Sequence, residues 1–286
     1  MSNISASQVK ELREKTGLGL MDCKKALEEA KGNLDLAIEE LRKTSGLKAS
    51  KKSSRSAADG LIGIKSSEGK SFMVEINCET DFVARDDSFN LFMKEVLEIV
   101  SNNGDKSLEE LLKLGIEEKR EKLVQKLGEN IVVRRVTASE DNADSSGVYL
   151  HSNNKIGTII SLKGGTEEVA KDIAMHAAAT DPMAISPSDI PKEVIEKERE
   201  IYRAQSEESG KPKDIIEKMI EGKIRKFLSE VSLTEQDFVK DPDLKINDIL
   251  KDNDANIIGF TRFEVGEGIE VEKVDFASEV MSQIEG

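Results

Sequence analysis

The sequence has 286 residues, 37% of them hydrophobic and 34% charged, which predicts a soluble globular protein with more than one domain. Aromatic residues make up 4% and tryptophan is absent, and the net charge is -14, so both single-strand stacking and duplex binding are disfavoured and no nucleic-acid partner is expected. No apolar run approaches the ~20 residues that cross a bilayer, no signal peptide is visible, and two cysteines cannot build a disulfide framework. We therefore expect a cytoplasmic protein without membrane contact.

The first 45 residues predict a small domain of three helices. A capping-box pattern begins the first helix, glycines interrupt the chain after it, and Asn33 is placed to cap the third. This arrangement is similar to a ubiquitin-associated (UBA) domain. Leu18, Leu20 and Met21 either form an exposed apolar group for a partner or close a small core, and the pattern leaves both readings open.

Residues 46–58 are basic, small and aperiodic, which predicts a linker. The basic cluster could instead touch RNA, but a solvated tether is the favoured interpretation.

Residues 59–140 and 141–265 predict two similar subdomains, each built as β-β-α…β. The first copy has strands at 61–64, 71–77 and 131–136, with helices at 89–100, 108–114 and 119–127. The second copy has strands at 148–151, 156–162 and 257–265, with a helix at 166–179. Together they predict an α+β fold with two antiparallel sheets, each carrying helices on one face.

The stretch from Glu75 to Val83 differs most between the two copies. Strand alternation ends in a polar turn, and Asp81 and Phe82 follow at a junction between strand and helix, whereas the second copy has only a short glycine-rich turn. Loops held by a rigid scaffold often carry function. The alternative is that Phe82 packs in the core and Asp81 caps a turn.

An insertion at 188–231 predicts an antiparallel helical hairpin of coiled-coil type, with its turn at 209–212. Its pairing positions are expected to be Val194, Ile201, Tyr202, Ile216, Ile220, Ile224 and Phe227. Residues 266–286 predict a C-terminal module with a short helix at 276–281.

We find no catalytic or metal-binding pattern. Gly63 and the Gly69–Lys70 pair have five residues between the glycines where a phosphate loop needs four, and they belong to a hairpin turn. His151 and His176 have no triad partners, and Cys23 and Cys78 have neither a visible base nor zinc spacing. We therefore expect no enzyme activity, no metal and no cofactor.

Five motifs occur in the order in which the bacterial translation elongation factor Ts family has them, and together they extend over essentially the whole chain. They are 16–27 (TGLGLMDCKKAL), 75–83 (EINCETDFV), 173–176 (IAMH), 209–212 (SGKP) and 262–268 (RFEVGEG). The sequence resembles that family at every one of these positions.

The resemblance implies a guanine nucleotide exchange factor for the GTPase elongation factor Tu. The resemblance implies that the motif Thr80, Asp81, Phe82, Val83 contacts the Mg²⁺–phosphate site of Tu. Phe82 would act there as a wedge, and Asp81 would supply a carboxylate that disturbs the site. The resemblance further implies that Leu18, Leu20 and Met21 dock on the nucleotide domain and that His151 contacts another domain of Tu. Two competing readings remain, a UBA-type adaptor with a coiled-coil arm and a small-molecule enzyme. A homodimer through the hairpin or the core is also conceivable.

Overall fold

The computed structural model describes residues 4–207 and 212–270, and within them it combines helices with small β-sheets in an α+β fold. The helices are α1 (Ala6–Thr16), α2 (Leu20–Glu29), α3 (Leu34–Lys52), α4 (Asp81–Ala84), α5 (Asp87–Asn102), α6 (Leu108–Leu111), α7 (Glu117–Leu127), α8 (Glu167–Thr180), α9 (Lys192–Glu207), α10 (Lys213–Val231) and α11 (Ile246–Asp252). The strands are β1 (Asp59–Ser67), β2 (Lys70–Cys78), β3 (Ile131–Ala138), β4 (Ser145–Leu150), β5 (Ile156–Lys163), β6 (Asp237–Phe238), β7 (Asp241–Lys245) and β8 (Asn256–Glu264).

The first sheet has the order β1-β2-β3. Glu68 and Gly69 form the two-residue turn between β1 and β2, and both have positive φ (53° and 78°), as a type I′ hairpin turn requires. This places the near-match to a phosphate loop in a hairpin, as predicted. The amphipathic helix α5 packs close to β1, since a Cβ atom on Gly63 would lie only 2.6 Å from the sulfur of Met93.

The second sheet repeats this plan with the order β4-β5-β8. Its helix α8 lies against β4 so closely that a Cβ atom on Gly147 would be 2.1 Å from the backbone of Ala170. A core of buried residues from β5, α8 and α11 fills the space beneath. In each copy a glycine of the first strand allows close approach of the helix, and the predicted β-β-α…β repetition is confirmed by the strand orders.

Helices α1, α2 and α3 enclose their own small core, in which Leu12, Cys23, Leu27 and Ala37 are completely buried. Helix α3 continues to Lys52, so the linker prediction is wrong for residues 46–52. The helix continues because it has a surface to cover: Ala49 is buried, Arg42 pairs with Glu118 of α7 at 2.6 Å, and Lys52 donates to the carbonyl of Gly128. A basic, aperiodic stretch therefore became helical through packing.

The predicted helix at 108–114 is also corrected. Helix α6 ends at Leu111, and an irregular turn follows in which Gly115 has a φ of 93°.

Helices α9 and α10 form the helical pair of the insertion. Ile216, Ile220 and Ile224 are buried in a cluster that also takes in Ile195, Tyr202 and Leu228. Arg199 pairs with Glu221 and Arg203 with Glu217 across the pair, which makes it antiparallel. Ile201, predicted to face the other helix, is instead among the exposed residues.

Two predicted features lie largely outside the described residues. They are the turn at 209–212, of which only Pro212 is described, and the C-terminal helix at 276–281, which belongs to the module at 266–286. Strands β6 and β7 and helix α11 were not anticipated, because their segments are short and rich in Asp and Lys.

The chain divides into two compact units. One comprises the described parts of 1–63, 74–136 and 264–286, and the other comprises 64–73 and the described parts of 137–263. Apart from the boundary at residue 45, which falls within α3, the predicted domain boundaries stay a prediction. Among the described residues, no helix combines the length and apolar character needed to cross a membrane.

Candidate functional site

The site begins where β2 ends at Cys78 and the four-residue helix α4 begins at Asp81. Thr80 is the N-cap of α4, with extended backbone and a side-chain oxygen that accepts a hydrogen bond from the Val83 amide at 3.4 Å. Thr80 is favourable at this position because its hydroxyl satisfies a backbone donor that the first helical turn leaves open. The predicted junction between strand and helix is therefore present.

Phe82 projects from this junction, with 79% of its surface exposed. Its neighbours Val83 and Ala84 are buried and anchor the short helix. The alternative that Phe82 belongs to the core is wrong, because the first turn of α4 directs its ring outward while Val83 takes the inward position. An exposed phenylalanine on an anchored turn can enter an apolar pocket of another molecule.

Asp81 lies beside Phe82 and forms an ion pair with Arg85, one helical turn further on, at 2.7 Å. It does not cap α4, since Thr80 does so. A surface pair of this kind contributes at most about 1 kcal/mol. The Asp81 carboxylate can therefore exchange Arg85 for a partner group at small cost.

Glu129, between α7 and β3, holds the chain just before α4. Its carboxylate accepts hydrogen bonds from the backbone amides of Glu79 and Thr80, at 3.1 and 3.0 Å, and from the Thr80 hydroxyl at 2.7 Å. Sequence reasoning missed this residue. The available signal was an acid directly after Gly128, which ends α7 in the left-handed conformation and turns the chain back toward the sheet.

Glu75 provides a second anchor in the same unit, and its side chain is fully buried. Alternation along β2 places the Glu75 side chain on the other face of the strand from Val74 and Ile76, and Glu75 is buried as well. Its carboxylate pairs with Arg134 at 3.1 Å and with Arg135 at 2.5 Å, and it accepts from the amide of Gly266 at 3.0 Å. Burial raises the pKa of the Glu75 carboxyl, but hydrogen bonds from Gly266, Asn77 and Arg135 outweigh this and keep the pKa below its ordinary value of 4.5. Glu75 therefore stays ionised and ties β2, β3 and the chain after β8 together.

The three apolar residues Leu18, Leu20 and Met21 differ in their exposure to solvent. Leu20 and Met21 begin α2 and are 52% and 73% exposed, as expected if they form an exposed apolar group. Leu18 is only 5% exposed and packs in the three-helix core, so its prediction as an exposed contact is wrong. Gly17 has a φ of 69° and turns the chain at the end of α1, which leaves Leu18 facing inward before α2 begins.

The two histidines, both in the second unit, have opposite environments. His151 is exposed in the turn between β4 and β5, where its Nδ1 lies 2.8 Å from the side-chain oxygen of Asn153. His176 is fully buried in α8, and its Nε2 lies 2.9 Å from the side-chain oxygen of Gln236. In the described residues, no group of His, Cys, Asp and Glu side chains has the arrangement of a metal site.

Comparison with known proteins places this geometry in a family. Residues 79–267, which include the Thr80–Val83 motif and His151, match the family described as Elongation factor TS. The chain belongs to the elongation factor Ts family. It is 54% identical to Elongation factor Ts of Hahella chejuensis, over all of both chains, and 54% identical to that of Marinobacter nauticus, over 98% of this chain and 97% of the relative. It is 51% identical to Elongation factor Ts of Francisella tularensis subsp. novicida, again over all of both chains.

Family membership supports the predicted role as a nucleotide exchange factor for elongation factor Tu in translation elongation. The matches to the Hahella and Francisella proteins extend over the whole length of both chains, so the N-terminal helices and the inserted hairpin are both within the shared region.

Proposed function

We propose that the chain accelerates GDP release from elongation factor Tu by inserting Phe82 and Asp81 next to the Mg²⁺–phosphate site of Tu. The observation that carries this proposal is the exposure of Phe82 on a turn whose neighbours are anchored. An aromatic ring in that position can separate elements of a partner and shift the groups that hold the metal. The Asp81 carboxylate, freed from Arg85, can perturb the polar network around the phosphates.

Nucleotide exchange requires that GDP and this chain weaken each other's binding to Tu. If the chain binds empty Tu more tightly than GDP-bound Tu, GDP must weaken its binding by the same factor. Each tenfold of this coupling requires about 1.4 kcal/mol of differential contact. Truncation of an aromatic hot spot costs about 2 kcal/mol or more, so a Phe82 contact made only with empty Tu would account for more than one factor of ten. The chain itself performs no covalent chemistry.

Further contacts complete the proposed interface. Leu20 and Met21 are exposed apolar residues on a small UBA-like helical domain that would dock on the nucleotide domain of Tu. His151, exposed in a tight turn, would contact another domain of Tu. The helical pair α9–α10 is proposed to be a coiled-coil arm, and self-association through it or through the core stays a prediction. The expected location is the cytoplasm.

The deciding experiment is the release of a fluorescent GDP analogue from Tu, measured with increasing amounts of this protein. We expect Phe82→Ala to lower the maximum release rate by about 30-fold, which corresponds to about 2 kcal/mol. The melting temperature should not change, because the ring makes few contacts in the free protein. Leu91→Ala is the matched control, since Leu91 is an exposed apolar residue of α5 in the same unit without a proposed role.

Three outcomes would count against the proposal. A wild-type protein that does not accelerate release would favour the adaptor reading. Equal rates for Phe82→Ala and Leu91→Ala would remove Phe82 from the mechanism. A lower melting temperature for Phe82→Ala would show that the ring has a packing role.

A further inference from the structure

Glu79 and Glu129 connect the loop before α4 to the residues just before β3, and each carboxylate accepts hydrogen bonds from the other segment. Glu129 accepts three hydrogen bonds from the loop, two from the amides of Glu79 and Thr80 and one from the Thr80 hydroxyl. In the opposite direction, the Glu79 carboxylate accepts from the backbone amide of Asn130 at 2.6 Å. The residue pairs 79–80 and 129–130 thus hold each other by carboxylate-to-backbone bonds, and a charged acceptor makes such bonds stronger than neutral hydrogen bonds.

Asn130 connects these residues to the segment that follows α3. It is almost fully buried, and its side-chain amide donates to the carbonyl of Arg55 at 2.8 Å. Arg55 in turn lies 3.5 Å from the Glu79 carboxylate. The loop is therefore held from two sides by parts of the chain that are distant in sequence.

Helix α4 needs such support because it has only four residues. A helix this short does not form by itself, since one hydrogen-bonded turn does not repay the entropy of ordering it. The Thr80 hydroxyl donates to Glu129 and accepts from the Val83 amide, so the bond to Glu129 fixes the rotamer that caps α4. The direction of the Phe82 ring depends on that cap.

We propose that Glu129 is a positioning residue for nucleotide exchange, which orders the Thr80 cap so that Phe82 is presented rigidly before Tu is met. This inference rests on the proposed role of Phe82. A loop that is already ordered does not have to pay for its ordering when it binds, so more of the contact energy is available for displacing the nucleotide. Without the Glu129 bonds, the loop must become ordered during insertion, and the step that expels GDP becomes slower.

The test compares Glu129→Ala with Glu129→Gln in the GDP-release titration. Alanine removes all three bonds, and we expect the maximum release rate to fall about tenfold, which corresponds to about 1.4 kcal/mol. The half-saturating concentration should change little, because the other contacts with Tu are intact. Glutamine keeps an oxygen for the two amides and can donate its own N–H to the Thr80 hydroxyl, so it should restore most of the rate. Glu109→Ala, an exposed acid of α6 in the same unit, is the matched control.

A double-mutant cycle with Phe82→Ala separates positioning from general stability. If Glu129 acts through Phe82, Glu129→Ala should have almost no further effect on the rate in the Phe82→Ala background. Additive effects, or a wild-type maximum rate for Glu129→Ala, would overturn the inference. If Glu129→Ala melts well below the wild type, Thr80→Val decides instead, since it removes the hydroxyl and keeps the volume. A wild-type maximum rate in that variant would also overturn the inference, whereas failure of the wild-type protein or of Phe82→Ala to behave as proposed would point to the function itself.

Discussion

Phe82 and Phe89 are close in sequence, yet one ring is exposed and the other is completely buried. Phenylalanine is usually buried, so residue type predicts the same environment for both. Phe89 belongs to the long apolar face of α5, where the helical period brings it to the core. Phe82 belongs to a single turn whose inward position is taken by Val83. Phe82 is therefore an exception to the usual burial of phenylalanine, and it lies on a turn that the buried Val83 and Ala84 anchor.

His176 shows how much a single buried group can depend on its hydrogen bonds. Its Nδ1 accepts from the amide of Val239 at 3.3 Å, so the ring proton lies on Nε2 and is donated to Gln236. The same Gln236 oxygen also accepts from the hydroxyl of Thr180 at 2.9 Å. A second proton on Nδ1 would leave the Val239 amide facing another donor. The neutral ring is therefore the form that the folded protein accommodates.

This arrangement predicts a loss of stability in mild acid. Burial lowers the pKa of His176 from its ordinary value of 6.5, although the hydrogen bond with Gln236 partly raises it. The unfolded chain then binds the proton at a higher pH than the folded one, so the stabilisation is complete above the ordinary pKa and is lost as the pH falls toward the folded pKa. We expect the free energy of unfolding, measured with urea, to fall below about pH 6.5 by at most about 1.4 kcal/mol per pH unit, the limit for one proton.

The assignment to His176 can be checked because the sequence contains two histidines. His176→Gln can still donate to Gln236 but takes up no proton, so its stability should be lower at neutral pH and nearly constant down to about pH 5.5. His151→Gln, on the exposed histidine, should keep the wild-type slope. If His176→Gln loses stability in acid as steeply as the wild type, the proton is bound elsewhere.

Helix α3 illustrates how packing can extend an element beyond its sequence pattern. Residues 46–52 have no apolar period, but Ala49 is buried and α3 lies along α7. The predicted domain boundary at residue 45 therefore falls inside a helix, and a truncation there would cut α3 and expose part of α7. Point substitutions in α2 and the turn before it are a better probe of this domain.

We expect Leu18 and the pair Leu20 and Met21 to separate stability from binding. Leu18→Ala should destabilise the three-helix core by about 2–5 kcal/mol, because it leaves a cavity among buried side chains. The double variant Leu20→Ala, Met21→Ala should melt like the wild type and raise the half-saturating concentration in the GDP-release titration, with some exchange left at saturation. Each variant is the control for the other. A double variant with wild-type half-saturation would show that these exposed residues do not contact Tu.

The α9–α10 pair has a core of its own within the second unit. Its buried isoleucines cluster with Tyr202 and Leu228, separately from the cluster around α8 and β5. At its base the chain closes on itself outside the helices, since the amide of Leu233 donates to the carbonyl of Ala184 at 2.9 Å and that of Thr234 to the carbonyl of Ile185 at 3.0 Å. The two ends of the insertion are therefore already held together without the helices.

We predict that a short loop between Ser186 and Leu233 can replace the pair. The shortened protein should unfold cooperatively and still accelerate GDP release at saturating concentration, because the Phe82 loop is in the other unit. A defect is expected in the half-saturating concentration or in self-association, which sedimentation measures. Leu233→Ala is the control, because Leu233 is buried in the α8 cluster and its loss should lower the melting temperature. Aggregation of the shortened protein, or no exchange at high excess, would show that the pair is part of the core.

Much of this molecule could be predicted from local sequence patterns. The repeated β-β-α…β plan, the hairpin turn at Glu68 and Gly69, and the helical pair of the insertion all follow from periods of two or 3.6 residues and from glycine positions. The junction at Thr80 was visible for the same reason, since alternation stops there and a helical period begins. These features depend on residues that are near one another in the chain.

Other features depend on which distant parts of the chain meet, and no local pattern contains that information. Leu18 and Met21 have similar hydrophobicity, but only the first reaches the core of the three helices. Glu75 and Glu129 are ordinary acids by sequence, and they become anchors because Arg134, Arg135 and the amides before α4 are brought to them by the fold. A buried carboxylate is stable only when such donors surround it. Under the positioning role proposed for Glu129, the long-range hydrogen bonds to Glu79 and Thr80 set the direction in which Phe82 points.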